Sequence, residues 1–305
     1  MNQYKIGLDL GGTKLLGIIV DSGNNILKKK KIKIRKNITI DELLDVIVNI
    51  YNTLSDDLDI SRLGLAVPSS VQFETGIASF LPAYGWRNVQ FKKILEDKLG
   101  IEVKVDNDVN MATLAEYKIG AGIGVKSLYT FYPGTGIGGG FISDGKLVRG
   151  YNGTAGEIGH MVVDINGTRC NCGQYGCLET IVSNTAFKRL LKESKANKIY
   201  LGKIDPDIAG SKDILEAWNA GDTILQDLLK YQAKVLGIAI ANIVNITGVE
   251  RIIVGGHFYH VLEDKLLHIV KKSASQHAIG DGMNGVDILL NKLGPEAPAL
   301  GATLL

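Results

Sequence analysis

A turn built from glycine and threonine occurs twice in this chain, and each time it joins two apolar runs that predict β-strands. The first turn is Gly11-Gly12-Thr13 and the second is Gly134-Thr135-Gly136. The flanking predicted strands are residues 4–9 and 14–21 in the first half, and residues 127–132 and 138–143 in the second. Strand and helix patterns alternate after each hairpin. This repetition predicts an α/β fold of two related lobes that face each other across a cleft.

The length of the chain also favours two domains, because 305 residues exceed the usual size of one compact domain. We predict an N-terminal α/β domain of residues 1–118 and a C-terminal α/β domain of residues 119–296 that carries a metal-binding segment. We expect a C-terminal helix, at about residues 297–305, to pack back on the first domain.

Neither glycine turn fits a common nucleotide-binding motif in full. Residues 134–140 formally match the dinucleotide fingerprint G-x-G-x-x-G, but that fingerprint needs a helix directly after the glycines, and a hairpin is predicted here. Residues 7–14 nearly match the P-loop pattern, but Thr13 precedes Lys14 where that motif needs lysine before the hydroxyl residue. A tight hairpin without a ligand is the alternative for either turn considered alone.

The presence of both turns favours a phosphate-binding role. Glycines let backbone N–H groups approach a phosphate without a Cβ in the way. Two such turns on opposite sides of a cleft would grip one polyphosphate, as in the actin-like (ribonuclease H-like), sugar-kinase type of ATPase. The predicted ATP-binding residues of the two turns are Asp9, Gly11, Gly12, Thr13, Lys14, Gly134, Thr135 and Gly136. Asp9 is also expected to help hold a hydrated Mg²⁺.

The chain has three cysteines, Cys170, Cys172 and Cys177, and all lie in one short segment. They cannot all pair with one another, and a cytoplasmic compartment would keep them reduced. Structural Zn²⁺ sites are closed, with four thiolate or imidazole ligands, and His160 lies a short loop upstream. We predict a Zn²⁺ site of His160 and the three cysteines that shapes a substrate pocket and performs no chemistry. The alternatives are a redox or merely buried cysteine group, and a metal site in which His160 is not a ligand.

The charge pattern argues against nucleic acid and membrane partners. The formal net charge is +2, and the basic run at residues 28–36 alternates charged and apolar residues in its later part. We interpret this run as a solvated edge strand and not as an RNA or DNA contact. The N-terminus lacks the features of a secretion signal, and no stretch approaches the roughly 20 apolar residues of a membrane span. We therefore expect a cytoplasmic protein.

A polar cluster, Asp106-Asn107-Asp108-Val109-Asn110, follows the strand predicted at residues 101–105. Ligands of α/β folds bind at the carboxyl ends of strands, although one of these side chains is expected to cap a helix. With this cluster the chain resembles the ROK family (repressors, open reading frames and sugar kinases) over nearly its whole length. The matching elements are Asp9 to Lys14, Asn107-Asp108, Gly134 to Gly140, Glu157 to His160, Cys170 to Glu179, Gly255-Gly256 and Ala299 to Ala302.

The resemblance implies a function and a set of roles. Asp108 would be the general base that accepts the proton of a sugar hydroxyl as the hydroxyl attacks the γ-phosphate of ATP. The residues expected to bind the sugar are Asn107, Glu157, His160 and Glu179. Gly255 and Gly256 would form the turn on the adenosine side. The expected protein is a sugar kinase and a homodimer; the alternative is a sugar-binding sensor that does not phosphorylate its ligand.

Two departures from the family pattern bear on the sugar. Ser69 and Ser70 follow Pro68, where many ROK kinases have Pro-Gly. Phe80 stands where these kinases commonly carry a sugar-contacting asparagine. This exchange weakens the assignment of glucose as substrate and opens the choice to fructose, an N-acetylated hexosamine or another sugar. The repressor branch adds an N-terminal helix-turn-helix domain, for which the position of Asp9 leaves no room, so we expect no DNA binding.

Overall fold

The computed structural model describes residues 4–56, 58–200 and 202–305. The strands are, in chain order, β1 (Tyr4–Leu10), β2 (Lys14–Val20), β3 (Ile26–Lys33), β4 (Ile60–Val67), β5 (Val71–Gln72), β6 (Ile77–Leu81), β7 (Trp86–Gln90), β8 (Glu102–Asn107), β9 (Leu128–Pro133), β10 (Ile137–Ser143), β11 (Lys146–Leu147), β12 (Arg251–Val254) and β13 (Asp287–Leu290). The helices are α1 (Ile40–Ser55), α2 (Phe91–Leu99), α3 (Asp108–Ile119), α4 (Glu179–Val182), α5 (Asn184–Ala196), α6 (Ser211–Asn219), α7 (Thr223–Thr247), α8 (His257–Val261), α9 (Glu263–His277) and α10 (Ala297–Ala302).

The first sheet has the order β3-β2-β1-β4-β8. Strands β1 and β2 form the predicted antiparallel hairpin, while β4 and β8 continue the sheet in parallel with β1. Strands β1 and β2 are apolar on both faces, as central strands covered by helices on both sides must be. The basic strand β3 lies at the edge, as predicted, and Lys28 on it pairs with Asp56 at 2.8 Å.

The second sheet has the order β11-β10-β9-β12-β13 and repeats this arrangement. Strands β9 and β10 form an antiparallel hairpin, and β12 and β13 run parallel to β9. Each sheet therefore begins with a hairpin whose turn carries the glycines and threonine, and continues with parallel strands. This topology confirms the two related α/β lobes expected from the sequence. A smaller antiparallel sheet, β5-β6-β7, lies in the first half of the chain.

Local sequence signals explain the helices that cover the sheets. Helix α1 begins with a capping box in which Thr39 accepts from the backbone N–H of Glu42, and the Glu42 carboxylate accepts from Thr39. Leu43, Leu44 and Ile47 repeat at helical spacing and are buried in the core of the first sheet. In the second half, α7 and α9 pack together in the core that surrounds β9 and β12.

The C-terminal helix α10 packs against the first sheet and helix α3. Gly7 and Gly64 permit this packing, because a Cβ on either would overlap the carbonyl oxygens of Ala299 and Ala302 respectively. The helix ends at Ala302, three residues before the predicted end, and its last turn is closed by Thr303. The domain limits at residues 118 and 296 stay predictions. Within the part of the chain that the structure describes, no helix is both long and apolar enough to span a bilayer.

Candidate active site

The carboxyl of Asp108 lies close enough to those of Asp9 and Glu157 for their charges to interact, and we call these three groups the carboxylate cluster. Asp9 is the last residue but one of β1, and Asp108 begins α3 directly after β8. Burial raises the pKa of Asp9 to about 6, against the opposing charge of Lys14. Burial, followed by the negative charges of Asp9 and Glu157, raises the pKa of Asp108 to about 7. The cluster therefore contains a carboxyl group that readily accepts a proton near neutral pH.

Asn107 is the residue that caps helix α3. Its Oδ1 accepts from the backbone N–H groups of Val109 at 2.9 Å and Asn110 at 3.0 Å. Its Nδ2 donates to the carbonyl oxygen of Ser69 at 3.3 Å. This cap is the one expected within the polar cluster, and it starts the helix at Asp108 and fixes the backbone of that residue. A sugar contact by Asn107 stays a prediction.

Two residues that the sequence analysis did not assign support this end of the cleft. Asp106, 1% exposed, accepts from the backbone N–H of Asn107 at 2.7 Å and from Nε of Arg149 at 2.6 Å. The Arg149 guanidinium also stacks on Phe73, 3.7 Å from the ring centre. Asp106 belongs to the polar cluster noted in the sequence. Nothing in the sequence around Arg149 indicates this contact, because the two partners lie 43 residues apart.

The first glycine turn is held by its own backbone and by a tyrosine. The N–H of Gly11 donates to the carbonyl of Lys14 at 2.9 Å, and the hydroxyl of Tyr84 donates to the carbonyl of Gly11 at 2.7 Å. Tyr84 stacks on Trp86, with ring centres 4.7 Å apart. A loop of the small sheet thus covers this turn, a contact that the sequence analysis missed.

The second glycine turn is followed by strand β10 and not by a helix, so the dinucleotide alternative is wrong. Gly138 and Gly140, the later glycines of residues 134–140, allow close packing against α3. A Cβ on Gly138 would overlap Val109, and a Cβ on Gly140 would overlap the hydroxyl of Thr113. The Thr113 hydroxyl instead hydrogen-bonds that of Thr130 at 2.6 Å. The later glycines therefore let α3 lie directly on β10 and join the two halves of the chain.

The cysteine segment brings all four predicted metal ligands together. One ligand atom from each of His160, Cys170, Cys172 and Cys177 lies within 4.8 Å of the others. Nδ1 of His160 is 3.7 Å from Sγ of Cys170, and Sγ of Cys172 is 3.7 Å from Sγ of Cys177. Tetrahedral Zn²⁺ with Zn–S bonds of about 2.3 Å places its sulfurs about 3.8 Å apart. These distances fit a closed tetrahedral site and exclude disulfides in this arrangement.

Glu157 and Glu179 are two further residues that are predicted to bind the sugar. Ser70 approaches Oε1 of Glu157, with Oγ at 3.5 Å. Glu179 accepts from the backbone N–H of Ile137 at 3.1 Å, which places it against the second glycine turn.

Gly255 and Gly256 follow β12 and lie beside the end of β9. A Cβ on Gly255 would overlap the ring of Tyr132, and a Cβ on Gly256 would overlap the carbonyl of Pro133. Gly256 also has φ +96°, a conformation that favours glycine. Since Pro133 directly precedes Gly134, the structure brings the two glycine turns of the second half next to each other.

Phe80 lies on β6 opposite Arg87 of β7. Phe80 is 38% exposed, and the Arg87 guanidinium stacks on its ring, 4.5 Å from the ring centre. The backbone N–H of Phe80 donates to Oγ of Ser69 at 3.1 Å, so the two departures from the family pattern contact each other.

Comparisons with known proteins give similarities along the whole chain. The model of the ROK family matches residues 5–305. The glucokinase of Halalkalibacterium halodurans is 32% identical over 98% of this chain and 94% of its own. A ROK glucokinase from Streptomyces griseus, solved in complex with glucose and AMPPNP, is 31% identical with a TM-score of 0.84, and the match covers 98% of each chain. The xylose repressor of Bacillus spizizenii is 28% identical over 98% of this chain and 75% of its own. The structural similarity confirms the actin-like fold class.

Proposed function

The chain belongs to the ROK family, and we propose that it is a kinase that transfers the γ-phosphate of ATP to a hydroxyl of a hexose or hexose derivative. Similarity to glucokinases supports sugar phosphorylation. The observation that carries the proposal is the carboxyl of Asp108, whose pKa of about 7 suits a general base near neutral pH. It stands at the edge of the sheet whose central hairpin carries the first glycine turn.

In the proposed reaction, Asp108 accepts the proton of the attacking sugar hydroxyl while the hydroxyl oxygen forms its bond to the γ-phosphorus and ADP leaves. Burial and the charges of Asp9 and Glu157 favour the protonated form of Asp108, so the proton transfer is favourable at this position. A base of this kind contributes roughly 10²- to 10⁴-fold in rate. Mg²⁺, when bound, neutralises charge on the phosphate oxygens, and Asp9 is the side chain proposed to hold it.

The two glycine turns are proposed to hold the polyphosphate through backbone N–H groups, with Lys14 adding a positive charge. The proposed ATP contacts are Gly11, Gly12, Thr13, Lys14, Gly134, Thr135, Gly136, Gly255 and Gly256. Most of the rate then comes from alignment of the hydroxyl with the phosphate and from charge neutralisation.

The proposed sugar ligands are Asn107, Glu157, His160 and Glu179. Nδ1 of His160 faces the thiol of Cys170, and Nε2, the other ring nitrogen, is the atom proposed to bind a sugar hydroxyl. The proposed Zn²⁺ is structural: its four protein ligands leave no position for a reacting water. Metal analysis of freshly purified protein should give one Zn²⁺ per chain, and a protein free of zinc would contradict this assignment.

A sugar sensor is the second candidate, because xylose repressors are also similar over nearly the whole chain. The presence of Asp108 in the carboxylate cluster favours the kinase. We also propose, from the family resemblance, a homodimer and a cytoplasmic location, and light scattering of the purified protein tests the first of these.

A coupled ADP-release assay over a panel of hexoses and N-acetylated hexosamines separates the two candidates and identifies the sugar. Sugar-dependent ADP release supports the kinase. Sugar binding by calorimetry without ADP release for any member of the panel would favour the sensor.

A further inference from the structure

The segment that carries the metal ligands also holds the second glycine turn in place. Directly after Cys177 the chain forms the short helix α4, the cap Ser183 and the start of helix α5. Three groups in this stretch hydrogen-bond residues 134–137. They are the carboxylate of Glu179, the backbone N–H of Asn184 and the hydroxyl of Thr185.

Each of the three bonds fixes a different part of the turn. The N–H of Ile137 donates to Oε2 of Glu179 at 3.1 Å. The N–H of Asn184 donates to the carbonyl of Gly134 at 2.8 Å, and the hydroxyl of Thr185 donates to the carbonyl of Thr135 at 2.6 Å. Glycine-rich turns have many accessible conformations, so these bonds select one of them.

The anchoring stretch is itself fixed to the core. Ser183 is 1% exposed, and its Oγ accepts from the N–H of Ala186 at 3.0 Å to cap α5. Nε2 of Gln232, on the long helix α7, donates to the carbonyl oxygens of Ile181 at 2.6 Å and Ser183 at 3.3 Å. The turn is therefore held against a rigid support.

The same stretch is continuous with the metal site. Sγ of Cys170 lies 3.8 Å from Oε1 of Glu179, so this carboxylate contacts a metal-site thiol with one oxygen and the glycine turn with the other. The hydroxyl of Thr180 donates to the carbonyl of Cys177 at 2.7 Å. The cysteine segment is therefore joined to residues 134–137 through Glu179, and the bond from Thr180 holds helix α4 to the end of that segment.

We propose that Thr185 and Glu179 are positioning residues for the second glycine turn, and that the metal segment supports ATP binding through them. This inference rests on the proposed function, in which that turn holds phosphate. Loss of the Thr185 hydroxyl removes its hydrogen bond to the carbonyl of Thr135. The N–H groups of the turn are then no longer preorganised for phosphate. The affinity for ATP should fall, while the affinity for the sugar should not.

The test compares Thr185→Val with Thr185→Ser, which keeps a hydroxyl, and with the matched control Thr247→Val. Thr247 also donates its hydroxyl to a backbone carbonyl at 2.6 Å, that of Ile243. It lies at the far end of α7, about 22 Å along the helix from Gln232. The measurements are calorimetric binding of a non-hydrolysable ATP analogue, KM for ATP and for the sugar, and hydrogen exchange of residues 134–137.

Thr185→Val should weaken binding of the ATP analogue about 3- to 10-fold, the range expected for one lost hydrogen bond, with KM for the sugar within about twofold. Exchange at residues 134–137 should become faster in Thr185→Val and in Cys172→Ser, which removes one metal ligand. Thr185→Ser and Thr247→Val should match the wild type in both measurements.

Unchanged affinity for the analogue in Thr185→Val, or an equal loss of sugar affinity, would overturn the inference while leaving the proposed kinase intact. Unchanged exchange in Cys172→Ser would overturn the part that concerns the metal segment. If the wild type binds no ATP analogue and releases no ADP, the proposed function fails, and this inference fails with it.

Discussion

Asp106 and Arg149 join the two halves of the chain through a hydrogen-bonded ion pair with Nε and Oδ2 2.6 Å apart. Asp106 lies in β8 of the first sheet, two residues before Asp108, and Arg149 follows β11 of the second sheet. Stacking of Arg149 on Phe73 adds a third point of contact. The pair therefore fixes the strand end that presents the proposed base.

Replacement of Arg149 by methionine should destabilise the protein by about 3–5 kcal/mol, because the buried carboxylate of Asp106 is left unpaired. The double variant Arg149→Met with Asp106→Asn should recover part of this loss, since the uncompensated charge is removed. Urea unfolding followed by circular dichroism measures both changes. A loss below about 1 kcal/mol in the single variant would contradict the importance of this pair.

The pH dependence of catalysis should follow the ionisation of Asp108. A general base must be ionised to accept a proton, so kcat/KM should decline as the pH falls through about 7, the raised pKa of this carboxyl. Glu157→Gln removes one of the negative charges that raise the pKa and should move the decline to lower pH. Initial rates between pH 5.5 and 8.5 measure this, and a flat profile in the wild type would contradict the assignment.

Asp108 should also reduce the stability of the protein at neutral and alkaline pH. Its pKa rises from the ordinary value of 3.8 to about 7 on folding, so the folded state favours the protonated carboxyl. The contribution of the Asp108 carboxyl to the free energy of unfolding is therefore most favourable below about pH 4, and it is lost as the pH rises through 7. Asp108→Asn should therefore raise the melting temperature at pH 8 by several degrees, and by less at pH 5. If the melting temperature of Asp108→Asn at pH 8 were below that of the wild type, this prediction would be contradicted.

Gly140→Ala tests the direct contact between α3 and β10. The new methyl group overlaps the hydroxyl of Thr113 and should break its hydrogen bond to Thr130. We expect a loss of about 1–3 kcal/mol in the free energy of unfolding. Gly210→Ala is the control, because its Cβ would meet Asp213 at an ordinary 3.6 Å and needs no unusual φ. Equal stability of the two variants would show that the close approach does not matter.

Much of the fold could be predicted because its signals are local. Continuous apolar runs on both sides of each glycine turn predicted the two central hairpins, and the Asp and Asn residues at 106–110 predicted one helix cap. The sequence after Gly256 predicts a single helix from about Tyr259, whereas the structure has two helices, α8 and α9, which meet at Leu262. The apolar repeat alone does not reveal such a break.

The four residues of the proposed metal site could also be grouped from the sequence, since thiols and an imidazole at close spacing have few other uses. The residues that support the site could not be predicted in this way. Arg149 reaches Asp106 over 43 residues, and Glu179 reaches Ile137 over 42. Such contacts depend on how the two sheets are placed, and neither partner carries a local pattern that indicates the other. The raised pKa of Asp108 likewise follows from burial and from neighbours that only the folded chain supplies.

The role of Asp108 is tested most directly by phosphoryl transfer in the variant Asp108→Asn, measured as sugar-phosphate formation with the best sugar of the panel. We expect the variant to bind the sugar and an ATP analogue with affinities within a few-fold of the wild type, while kcat falls by about 10²- to 10⁴-fold. A variant that folds, binds both ligands and turns over at a rate near that of the wild type would contradict the role of Asp108 as the base.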